Sequence, residues 1–281
     1  MAKRNSSPDS LPHLKRHGDL GGELLAVLRK CCELATRALV EHTDDGVHRV
    51  RQAFKRARAV LQLAEDAGAA PTQSLRREIA RAARKFSALR DATVAARMAE
   101  KLAGELADGA QSAARELARK KTRQPNPAWW LARRADFAGI RHKLKRLGRS
   151  ELAPHELEAS LRCSVKRVDR EAKRECEDHD RETTHEWRKQ VIVLREQILV
   201  ARTRLGAMTD ELHDGLKKLA YRLGEATDYQ VFIASVVKHR WPDRFADALL
   251  IAAAQKKQKR ALKQARRCWK KVRRELRRDF R

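Results

Sequence analysis

Residues 47–61, VHRVRQAFKRARAVL, set two different chemistries side by side on one helical period. At about 100° per residue, Val47, Val50, Phe54, Ala57 and Leu61 share one stripe, while His48, Arg51, Lys55 and Arg58 line the next. The first stripe requires a core. The second is a row of cations about 15 Å long at roughly 1.5 Å rise per residue, and Arg56 extends it sideways. A row of this kind suits a polyanion, although for a single occurrence a solvated charged face is the commoner explanation.

The pattern occurs twice. An offset of 137 takes His48 to His185, Arg51 to Arg188 and Arg58 to Arg195, inside THEWRKQVIVLR, where Trp187, Val191, Leu194 and Ile198 form the apolar stripe. The same offset relates Leu20 to Leu157, Leu24 to Leu161, Thr72 to Thr209, Asp91 to Asp228 and Val94 to Val231. A constant offset over such a length predicts an internal duplication with little insertion. The expected organisation is a flexible basic tail over residues 1–19, a first helical bundle over 20–150 and a second over 151–281. A merely solvated face has no reason to keep the same histidine and two arginines in both copies.

Charge narrows the partner. Lys and Arg outnumber Asp and Glu by 64 to 37, a net +27, which repels itself unless an anion neutralises it. Aromatic residues are only 5% of the chain, whereas binders of single-stranded nucleic acid present stacking platforms. The five cysteines form no CxxC and read as reduced core thiols. The opening MAKRNSSPDSLPH lacks the apolar segment of a secretory signal, and no run of 18 apolar residues occurs. These features predict a soluble, cytoplasmic protein without a membrane span.

In chain order the periodicity is almost wholly helical. Helices are expected over about 20–41, 47–66, 72–88 and 129–147, with a break at TRQPNP, residues 122–127. In the second half they are expected over about 154–177, then from Thr183, which with Glu186 forms a capping box that puts His185 in the first turn. A first-turn histidine would sit at the anion-friendly end of the helix dipole. Gly224 and Asp228 mark a join between two further helices, and Trp241-Pro242-Asp243 starts the last one. From residue 256 onward that helix carries 14 Lys or Arg against Glu275 and Asp279, either a charged helix packed on one edge or a separate nucleic-acid or membrane patch.

Catalytic signatures are missing. Neither GxxxxGK[ST] nor GxGxxG occurs, and His185-Glu186 begins like HExxH but has Lys189 where zinc needs its second histidine. No acidic cluster spaced for Mg²⁺ accompanies the basic rows. Asp91 and Asp228 recur in both halves, where a cap or an ion pair to a neighbouring arginine is the expected role. No metal or cofactor is expected, and binding is favoured over turnover.

The motif H-x-x-R-x-x-x-[KR]-[KR]-x-R at His48, Arg51, Lys55, Arg56 and Arg58, with LRDATV at residues 89–94, resembles the first half of a CHAD domain, the conserved histidine α-helical domain. The second half is similar through His185-x-x-Arg188, Leu194-Arg195 and LGEATD at residues 223–228, close to that family's LGxxxD signature. The likeness spans roughly residues 20–281. It implies an all-α fold of two helical bundles about a pseudo-two-fold axis, with the histidine-bearing helices facing a basic central cavity that binds inorganic polyphosphate without catalysis. It also implies a stand-alone unit, since nothing before Leu20 is long enough for the triphosphate-tunnel domain that often precedes a CHAD domain; whether the protein associates with polyphosphate granules is left open by the sequence. Two residues depart from the family pattern. Ile192 stands where a lysine is usual, with Lys189 one turn earlier as a partial substitute, and Glu196 replaces a common tyrosine.

The expected polyphosphate-binding residues are therefore His48, Arg51, Lys55, Arg56 and Arg58 with His185, Arg188, Lys189 and Arg195. Polyphosphate carries charge in every unit and has no bases, so a groove of Arg and Lys without stacking aromatics is its natural receptor. The alternative function is sequence-independent nucleic-acid binding by the basic C-terminal helix, with nucleic acid the weaker partner.

Overall fold

A computed structural model describes residues 12–69, 72–105, 108–119, 125–148, 150–205, 209–239 and 244–279 of the chain. These residues form ten α-helices and no strand: α1 (Leu20–Val40), α2 (Asp44–Asp66), α3 (Gln73–Arg84), α4 (Ser87–Ala103), α5 (Asp108–Arg119), α6 (Pro127–Arg146), α7 (Pro154–Asp178), α8 (Arg181–Leu205), α9 (Thr209–His239) and α10 (Arg244–Asp279). No helix among the described residues is long and apolar enough to cross a membrane. The all-α expectation is thereby met.

The two helices carrying the basic rows begin in the same way. Before α2 the backbone turns through His42 at φ 54°, and the Thr43 hydroxyl accepts a hydrogen bond from Gly46 N at 3.0 Å. Before α8 it turns through His179 at φ 52°, and Asp180 Oδ1 accepts from Thr183 N at 2.7 Å. Left-handed backbone is uncommon outside glycine and most tolerated by Asn, Asp and His. His42 and His179 are related by the same offset as His48 and His185, so the correspondence between the halves extends to the turn itself.

The cap at Asp180 moves the start of α8. Thr183 is the third helical residue rather than the cap, so His185 lies beyond the first turn, just as His48 does in α2. The expected site at the helix end is corrected: Asp180 competes better for the free N–H groups because its carboxylate is charged and sits at the register of Thr43. The expected join at Gly224–Asp228 is likewise absent, and α9 runs through it unbroken. A single glycine costs a helix only about 1 kcal/mol against alanine, and Gly224 is useful here, since a Cβ on it would lie 3.5 Å from the Arg188 guanidinium.

Apolar packing crosses the middle of the chain. The main core takes buried residues from α1, α2, α3, α6, α7 and α8, the first half of α9 and the second half of α10. The stripe read from the sequence is in it: Val50, Phe54, Ala57 and Leu61 are at most 1% exposed, and Trp187, Val191, Leu194 and Ile198 are fully buried. A second, smaller core joins α4 and α5 to the end of α9 and the start of α10 around Met98, Leu102, Tyr229, Phe232 and Leu250.

Residues 12–19 are not the expected flexible tail. Leu14 is fully buried in the main core, its N–H donates to Val200 O at 2.8 Å, and its carbonyl accepts from Thr203 Oγ1. Arg204 donates to the carbonyls of Lys15 and Gly18, and Glu23 accepts from Lys15 N at 2.8 Å. The buried Leu14 and these paired backbone groups together hold the polar segment down; residues 1–11 lie outside the described part. The cysteine reading also needs correction. Cys31 and Cys32 are buried, but Cys163 and Cys176 are exposed on α7 and Cys268 is half-buried on α10.

Candidate polyanion-binding site

The two basic rows meet because α2 packs on α8. Gln197 Nε2 of α8 donates to Ala59 O of α2 at 3.2 Å, and Ser160 Oγ of α7 donates to Leu63 O at 2.9 Å. This brings Lys55 within electrostatic reach of Arg51 on its own helix, Arg188 and Arg195 on α8, and Arg90 on α4. All five are half-buried. Burial first, then Arg188, Arg51, Arg195 and Arg90, push the Lys55 ammonium down to about 7. Arg188 is lowered to about 10, chiefly by burial and then by Arg90 and Arg51, against the opposing pull of Asp228. Such shifts mark a place where positive charge is held together without enough negative charge nearby.

The carboxylates present are already engaged. Asp228 Oδ1 accepts from Arg90 at 2.5 Å and Oδ2 from Arg97 at 2.7 Å, while Asp91 lies 3.4 Å from Arg90. The repeated aspartates are therefore ion-pair partners, as their position beside arginines predicts. Each also acts on the row arginine of its own half, Asp91 on Arg51 and Asp228 on Arg188. One Arg188 nitrogen donates to Thr227 Oγ1 at 2.5 Å, but its Nε is buried without a partner.

The remaining expected residues are placed as follows. His48 and His185 are exposed at the rim, and both are lowered from the ordinary histidine value, by burial first and then by Lys55 and by Lys189 respectively. Arg58 is half-buried, near Arg76 and Arg84, with its Nε unpartnered. Lys189 is half-buried and pairs with Glu186 of its own helix. Ile192, between Arg188 and Arg195 in sequence, is partly buried against the main core.

Arg56 does not belong to the row. It is 2% exposed, donates to Glu196 at 2.8 and 2.9 Å and to Pro12 O at 3.2 Å, and is out of reach of a ligand. Glu196 is 1% exposed; burial would raise its carboxyl, but Arg56 and then Arg195 hold it below the usual range. The adjacent Lys55 and Arg56 point about 100° apart on the helix, which explains why neighbours in a basic run have opposite fates.

Sequence reasoning missed Arg90 and Arg97 as members of the cluster. Arg90 lies inside the LRDATV motif, and Arg97 follows it two helical turns later, hence on the same face. That spacing was available as a signal. Their convergence on Asp228, in the other half of the chain, was not.

Comparisons with known proteins bear on this arrangement. A family model described as CHAD domain matches residues 22–236. The crystal structure of the CHAD domain from the plant Ricinus communis is similar in fold, with a TM-score of 0.61, 17% identity, and 95% of this chain and 96% of that chain covered. No curated protein matches this chain.

Proposed function

The chain belongs to the CHAD family, and on that premise we propose that it binds inorganic polyphosphate through Arg51, Lys55, Arg90, Arg188 and Arg195, with His48, His185 and Arg58 at the edges. One observation carries the reading: cations from three helices and from both halves of the chain converge around the half-buried Lys55, where burial first and then Arg188, Arg51, Arg195 and Arg90 bring the ammonium down to about 7. A phosphate oxygen entering there relieves repulsion and gains charge-assisted hydrogen bonds together. The buried Nε of Arg188 and of Arg58 are donors still to be satisfied.

The ligand class follows from what lines the site. It offers guanidinium and ammonium groups, and the ring–ring contacts among the described residues lie elsewhere, around Phe54, Phe86, Phe137, Trp129 and Trp130. A polymer of phosphates without bases fits such a lining better than a nucleic-acid strand does. The reading is of binding rather than catalysis, because Asp91 and Asp228, the recurring carboxylates, are tied to arginines and are poor candidates for general bases.

The test is displacement. Labelled polyphosphate bound at moderate salt should stay bound when duplex DNA is added at equal phosphate concentration, and unlabelled polyphosphate should remove it. Equal displacement by both would reject a site built for the phosphate polymer.

A further inference from the structure

The long helix α10 carries a second cationic surface that the proposed site does not use. Lys256, Lys259, Arg260, Lys263, Arg267, Lys270, Lys271, Arg274 and Arg277 are all exposed, and none makes an ion pair with a described residue. At 100° per residue they occupy one solvent face, over roughly 22 residues or about 33 Å of helix. The cations of α10 that do find carboxylates lie to the sides: Lys257 with Glu105, Arg266 with Glu175 and Arg273 with Asp169.

The fold does not require that face to be basic. In α6 the buried Trp130, Phe137, Ile140 and Leu144 have the same spacing as Leu262, Trp269, Val272 and Leu276 in α10. Carrying the rail back by that common offset puts Leu131, Ala135, Ala138, Gly139, His142 and Lys145, all exposed, where α10 has Lys263, Arg267, Lys270, Lys271, Arg274 and Arg277. Like charges three and four apart destabilise a helix, so α10 accepts along this face a penalty that the corresponding face of α6, where Lys145 is the one lysine or arginine, does not carry.

We propose that the exposed face of α10 is a docking surface for a nucleic-acid duplex, held through its phosphate backbone without reading sequence and independently of the central site. A straight row of cations about 33 Å long is close to one turn of duplex, roughly 34 Å, and a duplex is a rigid rod of dense negative charge. Single strands are disfavoured because the face presents no aromatic ring; Trp269, the one on that part of the helix, is buried. A lipid surface is disfavoured because the apolar side of α10 that would enter it is packed on the protein: a Cβ on Gly215 of α9 would meet Val272 at 2.8 Å, and Trp269 donates to Asp169 of α7 at 3.2 Å.

The experiment uses the full chain and a labelled duplex of about three turns, with affinity followed against salt. The rail variant is Lys263→Gln, Lys270→Gln, Arg267→Gln and Arg274→Gln. The control, Arg134→Gln, Arg141→Gln, Lys145→Gln and Arg146→Gln on α6, removes the same net charge. The rail variant should lower the slope of log affinity against log salt by roughly 3–4, about 0.9 for each phosphate that is no longer neutralised. The control should leave the slope unchanged, and both should retain polyphosphate binding. Circular dichroism checks the fold, and the double variant Lys270→Gln with Arg274→Gln, expected to lower the slope by about 2, serves if four changes disturb it. Equal slopes for rail and control variants, equal loss of duplex and polyphosphate, or loss of binding only to anionic phospholipid vesicles would each overturn the proposal. Absence of polyphosphate binding by the unaltered chain would remove the central reading while leaving this one standing.

Discussion

Lys55 couples the stability of the ligand-free protein to pH. Its ordinary value is 10.5, and burial with four neighbouring arginines brings it to about 7 in the folded chain. Between those values the unfolded chain holds a proton that the folded chain lacks, so stability rises with pH across that window. The penalty is complete below about 7 and gone above about 10.5. Denaturant midpoints should increase from about pH 7 to about pH 9, and Lys55→Met should flatten the increase. A bound polyanion reverses the preference by stabilising the ammonium. Polyphosphate binding should therefore take up protons and strengthen as pH falls from about 8 to about 6, with His48 and His185 contributing at the lower end. Calorimetry in buffers of different ionisation enthalpy reads that uptake directly; the same heat in every buffer would count against it.

Arg56 and Glu196 show the opposite use of charge. Both are nearly excluded from water and are tied to one another across the two halves of the sequence. Removing one partner strands the other, so Glu196→Ala should cost roughly 3–5 kcal/mol in urea unfolding, whereas Arg56→Met with Glu196→Leu should recover most of it.

Among the elements, helices were legible where one face repeated and their ends were capped, and poorly legible where two signals competed. The apolar stripe of α2 and its relation to α8 could be read at once, because burial of one face is what periodicity records. The start of α8 could not, since Thr183 with Glu186 and Asp180 both offer caps, and the charged carboxylate of Asp180 takes the Thr183 N–H. The unbroken α9 escaped notice for a related reason: glycine signals a break unless something packs against it, and Arg188 does. Gly21 makes a comparable contact at the start of α1, where a Cβ would fall 1.8 Å from the carbonyl oxygen of Ser150. Gly21→Ala should therefore force the backbone apart and destabilise the protein by about 1–3 kcal/mol, measured by chemical denaturation. An unchanged midpoint would mean that the segment at Ser150 moves freely.

For the molecule as a whole, the constant offset between the halves was the most informative signal, because it relates basic rows, aspartates, caps and left-handed turns that no local pattern connects. Which arginines face the ligand and which are buried was beyond it. Arg56, Arg90 and Arg97 differ in fate through partners in the other half of the chain, Glu196 for the first and Asp228 for the other two. Leu14 was hidden for the same reason, being one apolar residue in a polar segment whose backbone partners, Val200 and Thr203, lie on α8. The charge of +27 foretold a polyanion, but the structure separates it into a central cluster and an outer rail on α10.

The decisive measurement for the central cluster is the polyphosphate affinity of the variant Arg51→Glu with Arg188→Glu at moderate salt, after circular dichroism has established that it folds. Both residues are half-buried around Lys55 and are near Arg90. Their reversal removes two phosphate-binding groups and places two repulsive charges in the path of the polymer. Binding should nearly vanish, while the four-residue neutralisation of α10 leaves it close to that of the unaltered chain. If the folded double variant keeps its affinity and the α10 variant loses it, the site lies on the outer rail and the central cluster is not the binding element.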